Sequence, residues 1–106
     1  MFFELRQYHV RPGKQAEWVK CMEEEIIPLQ VKMGMVILGS FVGEENPSVY
    51  VWLRRFENEG ERKRLYDLVY QSDYWKNTIA PKVPTLIDRE KIKVTRIVAT
   101  ARSVIQ

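Results

Sequence analysis

"VYVWLRRF", Val49 to Phe56, is the stretch that decides the architecture. Its β-branched and aromatic content predicts a strand, and "GEENPS" just before it is turn chemistry that joins it to a preceding strand over Met35 to Val42. Successive strand residues point to opposite faces, so Val49, Val51 and Leu53 fall on one side and Tyr50, Trp52, Arg54 and Phe56 on the other. Neither set suits water. "FFELRQYHV", Phe2 to Val10, divides in the same way, into Phe3, Leu5, Gln7 and His9 against Glu4, Arg6, Tyr8 and Val10, and Pro12-Gly13 ends it.

Between the first two strands, Ala16, Val19, Met22, Ile26, Leu29 and Met33 recur at spacings of three and four, one stripe of an amphipathic helix over about Lys14 to Met33. Pro28 removes a backbone donor and predicts a kink or break, and Gly34 suits the left-handed position that closes a helix. A second helix starts near Asn58, capped by that side chain with Glu61 reaching back, and presents Leu65, Leu68 and Val69. Ser72 or Asp73 can cap a further turn carrying Tyr74, Trp75 and Ile79, and Ile92 to Ala101 reads as the last strand.

The order is β-α-β-β-α-β, an α+β chain with the split arrangement of ferredoxin-like folds, expected to occupy residues 1–106 as one domain. Right-handed crossovers place the third strand between the first and second and the fourth on the other edge of the first, giving an antiparallel four-stranded sheet. Two helices cover only one face of such a sheet. The other face calls for a partner, most economically a second copy packed sheet against sheet at ~10 Å, hence a homodimer through the sheet faces.

Composition narrows the chemistry. Cys21 is the lone cysteine among 106 residues, which excludes an internal disulfide and suits a reducing, cytoplasmic setting; no apolar run is long enough for a membrane span. Net charge is +3 and dispersed: Arg62-Lys63-Arg64 lies beside Glu57, Glu59 and Glu61 and reads, like Glu23-Glu24-Glu25, as a solvated helix face. No spacing of His, Cys or carboxylates suits a metal, and there is no glycine-rich phosphate loop or nucleophile elbow, so neither metal nor cofactor is expected. Cys21 reads as a packing residue. His9, the sole histidine, has the opposite parity from Arg6 and Tyr8 and reads as a rim or interface residue.

Glu4, Arg6, Tyr8, Tyr50, Trp52 and Arg54 share parity on adjacent strands, and the expectation is that they converge on one surface. Two readings stand: a structural charge pair of Glu4 with Arg6 inside an aromatic core, or a ligand pocket between sheet and helices. In the second, Glu4, Arg6, Tyr8, Trp52 and Arg54 form the lining, Tyr66, Tyr74 and Trp75 serve as walls or lids, arginine orients an anionic or carbonyl group, and Tyr8 is placed as a proton donor. Parity does not say which face meets the helices. An RNA-recognition module has the same strand order, but the third strand lacks that module's basic-Gly-aromatic opening and the sheet it needs is the one a dimer buries, so no nucleic acid is expected.

"FELRQYHVRPGK" (Phe3–Lys14), "EEEIIPLQ" (Glu23–Gln30), "VYVWLRRFEN" (Val49–Asn58) and "SDYWK" (Ser72–Lys76) together resemble the NIPSNAP family. The positions that carry the resemblance are Glu4, Arg6, Tyr8, Gly13 and Trp52. The resemblance implies a dimeric α+β barrel, two ferredoxin-like subunits with facing sheets, in a family linked to vesicle traffic and mitochondrial signalling but without a defined biochemical role. Related barrels include cofactor-independent monooxygenases and isomerases, which leaves an enzyme as one alternative and a non-catalytic protein-interaction module as another.

Overall fold

The computed structural model describes residues 1–106. Strand β1 is Phe2–His9, followed by helices α1 (Gln15–Cys21) and α2 (Ile27–Met33) joined through a π-helical turn over Met22–Ile26. Strands β2 (Val36–Val42) and β3 (Val49–Phe56) come next, then helix α3 (Glu59–Tyr70), a second π turn at Trp75–Ile79, the short helix α4 (Val83–Leu86), a 3-10 turn at Arg89–Lys91 and strand β4 (Lys93–Ile97). The sheet order is β2-β3-β1-β4 with every neighbouring pair antiparallel, as the crossover argument requires.

The helices lie over the face that carries Glu4, Tyr50, Trp52, Arg54 and Phe56, all of which are buried. Register assembles this face: Glu4 stands opposite Arg54, Arg6 opposite Trp52 and Tyr8 opposite Tyr50. In β2 the register shifts between Ile37 and Gly39, so Ile37 pairs with Arg54 and Ser40 with Trp52, and both belong to the helix side despite opposite parity. Ser40 Oγ then meets the Tyr50 hydroxyl at 2.5 Å. The opposite face carries Phe3, buried beside the segment that follows β4, Leu5, Val51 and Leu53, half-buried, and Phe41 and Val49, exposed.

Several local expectations change. Pro28 does not break the helix; the turn before it widens, with the Ile27 N–H bonding to the Met22 carbonyl five residues back, and the chain continues helically to Gly34 at φ 107°. The buried stripe begins at Trp18 and not at Ala16, which is exposed. Trp18, Met22, Ile26 and Gln30 follow a step of four, and a step of four drifts around an ordinary helix; the widened turn reduces that drift and keeps all four toward the sheet. On α3 the inward residues are Leu65, Tyr66, Val69 and Tyr70, whereas Leu68 is 43% exposed. Asn58 caps the Glu61 N–H at 2.8 Å, but the Glu61 carboxylate reaches the Glu57 N–H instead of closing back on Asn58. The last strand is shorter than the sequence suggests and ends at Ile97.

The far end of β1 is held by the 86–88 segment: Val10 bridges to Ile87, the Asp88 N–H donates to the His9 carbonyl at 2.9 Å and the Arg11 N–H to the Leu86 carbonyl at 2.9 Å. These bonds bring α4 and the residues after it against the helix face of the sheet, where Val83, Leu86 and Ile87 join the core. No helix is long and apolar enough to cross a membrane.

Candidate functional site

A cavity of about 340 Å³ lies between the sheet and the helices, and 12 of its 15 lining residues are hydrophobic. The sheet contributes Arg6, Tyr8 and Trp52; the first helical stretch contributes Trp18, Met22, Ile26 and Gln30; α3 contributes Tyr66 and Tyr70; and Trp75, Val83, Ile87, Arg89 and Ile92 come from the connection into β4. The volume sits at the small end of the range for ligand pockets.

Behind the cavity is a buried ionic network centred on Glu4 and Arg54, whose side chains are 1% and 0% exposed. Arg54 Nη2 donates to Glu4 Oε1 at 2.6 Å and to the Tyr66 hydroxyl, and Nη1 donates to Gln30 Oε1 and to the Tyr70 hydroxyl, each at 3.1 Å. The guanidinium also lies over the rings of Trp52 and Tyr66, 4.8 and 5.0 Å from their centroids. Glu4 Oε2 accepts from Arg62 Nε at 2.8 Å, and the Tyr66 hydroxyl donates to Glu4 Oε1 at 2.8 Å. Arg62 also bonds Glu59, which pairs with Arg96, so a chain of alternating charge runs from the surface into the core. Arg62, expected on a solvated face, is therefore a partner of the most buried carboxylate in the protein; its spacing of three from Glu59 shows in the sequence, but its reach to Glu4 is a property of how α3 lies on the sheet.

Burial alone would raise the Glu4 carboxyl, but the adjacent Arg54 charge and the hydrogen bonds from Arg62, Tyr66 and Arg54 outweigh it and hold the group below its ordinary value. Burial pushes the Tyr66 hydroxyl up to about 12, against the pull of Arg54, and burial likewise raises Tyr8, against Arg6. Both phenols are therefore neutral hydrogen-bond donors at physiological pH.

Arg6 holds a different position. It is 3.9 Å from Glu4 Oε1, whose shorter bonds go to Arg54 and Tyr66, and its side chain retains 16% exposure. Its Nε donates to the Tyr8 hydroxyl at 2.8 Å and its Nη1 to the Tyr66 hydroxyl at 3.5 Å. Glu4 thus pairs across strands and with α3 more closely than along β1 with Arg6.

Of the five residues expected to bind a ligand, Arg6, Tyr8 and Trp52 line the cavity, while Glu4 and Arg54 stand behind it and fix the orientation of Tyr66, Gln30 and Tyr70. Among the expected walls, Tyr66 and Trp75 line it; Tyr74 is exposed, with its hydroxyl 3.4 Å from Glu25. Trp18, Gln30, Tyr70 and Arg89 were not anticipated. The step of four from Trp18 to Gln30 is a signal for the first two and the step of four from Tyr66 along α3 is one for Tyr70; Arg89 has none, because it arrives by tertiary packing. His9 is half-buried and does not line the cavity, and Cys21 is buried with its thiol pushed up to about 11, chiefly by burial and by its contact with Glu25.

The sequence model of the NIPSNAP family matches residues 3–102. No curated protein matches the chain significantly. Among solved structures, a NIPSNAP family protein from Agrobacterium tumefaciens superposes with a TM-score of 0.88 at 23% identity, covering 99% of this chain and 98% of its own. An uncharacterized NIPSNAP domain protein from Burkholderia xenovorans gives a TM-score of 0.83 at 16% identity, covering 97% and 98%. A protein described as an antibiotic biosynthesis monooxygenase gives 0.66 at 15% identity over 94% and 99%; at these identities the likeness is one of fold. With the family model matched over residues 3–102, nearly the whole chain, the chain belongs to the NIPSNAP family.

Proposed function

We propose that this protein works as a homodimer of facing sheets in which each subunit holds a small, partly apolar ligand between its sheet and its helices. The carrying observation is the cavity of about 340 Å³, lined mostly by hydrophobic side chains and reached by Arg6. A pure interaction module would be expected to fill this space and to pair Arg6 fully with Glu4; the 3.9 Å separation and the exposure left to Arg6 favour a binder. The dimer is supported by the part of the opposite sheet face that the segment after β4 leaves open, where Phe41 and Val49 are exposed beside half-buried Leu5 and Val51. A reducing, cytoplasmic setting suits the single unpaired cysteine.

Native mass spectrometry of the purified protein tests both halves. We expect twice the mass of one chain, with added mass from retained ligand or, after incubation, from a small amphipathic molecule. A single subunit persisting at micromolar concentration removes the dimer; failure of every amphipathic probe to bind, in mass spectra and in thermal shift, removes the ligand site.

A further inference from the structure

Resting on that reading of the cavity as a ligand site, we infer that its ligand is a small monoanionic carboxylate with an apolar body, its head held by Arg6 and Tyr8 and its body among the tryptophans. The reason is the polar inventory of the lining. No carboxylate lines the cavity, and its two charged residues are both arginines, Arg6 within and Arg89, exposed, at the 3-10 turn. Almost all polar capacity left over there is donor capacity. The Tyr8 oxygen accepts from Arg6 Nε, and its own proton has no protein acceptor. The Tyr70 oxygen accepts from Arg54 and Gln30, which leaves its proton free as well. The indole N–H groups of Trp18 and Trp52 are also without a partner, but both nitrogens are shut away from the cavity space, so the tryptophans offer it their ring faces and edges. Gln30 Oε1, the amide acceptor on the wall, is taken by Arg54.

The spare donors of Arg6, Tyr8 and Tyr70 lie on residues that line the cavity, and a donor shut away from water without an acceptor is costly. An acceptor-rich head group removes that cost, whereas an amine or a simple alcohol leaves most of it in place. Charge leads to the same class. Glu4 is the acidic centre of the cluster and already faces Arg54 at 2.6 Å and Arg62 at 2.8 Å, so the positive charge of Arg6 is poorly compensated. One spare guanidinium in a mostly apolar space matches one negative charge; a phosphate dianion would need more cationic partners. Arg6 Nη2 has no protein acceptor and belongs to the guanidinium whose Nε bonds the Tyr8 oxygen at 2.8 Å, so the Nη2 and Tyr8 hydroxyl donors are held together for the two oxygens of a carboxylate. The raised Tyr8 hydroxyl stays protonated in this role.

The test compares 3-phenylpropanoate with its neutral amide by calorimetric titration of the intact protein. A charge-assisted hydrogen bond predicts binding of the carboxylate about 10- to 100-fold tighter than of the amide. Arg6→Met should bring that ratio to about one while the amide still binds, and Tyr8→Phe, which keeps the ring packing, should reduce it by part. If Arg6→Met does not fold, the wild-type ratio and Tyr8→Phe decide. Equal affinities in the wild type, or a preference that survives loss of both Arg6 and the Tyr8 hydroxyl, overturn the carboxylate inference and leave the cavity a binding site for neutral molecules. Binding of neither compound at millimolar concentration overturns the ligand-site reading together with it.

Discussion

Replacing Arg54 by methionine removes the centre of the buried network while leaving a side chain of similar length. The loss comprises the 2.6 Å ion pair with Glu4, the bonds to Gln30 and Tyr70 at 3.1 Å each, and the bond to Tyr66. Removing one member of a buried pair costs about 3–5 kcal/mol, because the other charge stays behind. Here Glu4 keeps Arg62 at 2.8 Å and Tyr66 at 2.8 Å, and Gln30 keeps Tyr70 at 3.3 Å, so the lower end applies. About 3 kcal/mol is a large share of the ~5–15 kcal/mol that holds a domain of this size together, and corresponds to a fall in Tm of about 12–24 °C. Urea and thermal unfolding followed by far-UV circular dichroism, at one fixed protein concentration, measure it.

Acid supplies an independent arm. The folded Glu4 carboxyl lies below its ordinary value of 4.5, so the unfolded chain takes up the proton first. Its contribution is complete above that ordinary value and is lost as pH falls through the lower folded one. In Glu4→Gln this part of the acid destabilisation should vanish. The reasoning is refuted if Arg54→Met loses less than about 1 kcal/mol, the net worth of a single neutral hydrogen bond, since the apolar replacement would then have compensated the whole network. It is equally refuted if the wild type and Glu4→Gln lose stability in parallel between pH 5 and about pH 3.

Gly34→Ala, at φ 107° and with Leu65 Cδ2 at 3.4 Å from the added methyl, should cost about 1–2 kcal/mol by urea unfolding; no change would mean that the helix ends without needing the left-handed residue. The Cys21 thiol, pushed up to about 11, should be alkylated by iodoacetamide at pH 8 on the order of 100-fold more slowly than a free cysteine; rapid modification would show that the helix around it opens readily.

Much of the scaffold was legible before any coordinates. Val49–Phe56 forms a strand with the boundaries its composition suggests, and the order of strands and helices follows from turn residues and crossover handedness. Other features were misread locally. Leu68 suits the apolar stripe of α3 by spacing yet faces solvent, since the tyrosines at positions 66 and 70 carry the packing and the hydroxyls the network needs. At Pro28 the expected kink or break takes the form of a π-helical turn over Met22–Ile26, after which the chain continues helically.

Alternation along a strand is a property of the backbone itself, so the chain alone determined that Glu4, Arg6 and Tyr8 share one face of β1 and that Tyr50, Trp52 and Arg54 share one face of β3; the register of the pair decided that the two sets meet. Which side of the sheet that surface occupies, and whether Glu4 pairs with Arg6, Arg54 or Arg62, was decided only by the folded structure. Arg62 lies 58 residues from Glu4 in sequence and Tyr66 lies 62, and only the seating of α3 on the sheet brings their polar atoms within bonding distance. That same packing consumes Glu4 in holding Arg54 and leaves Arg6 facing the cavity.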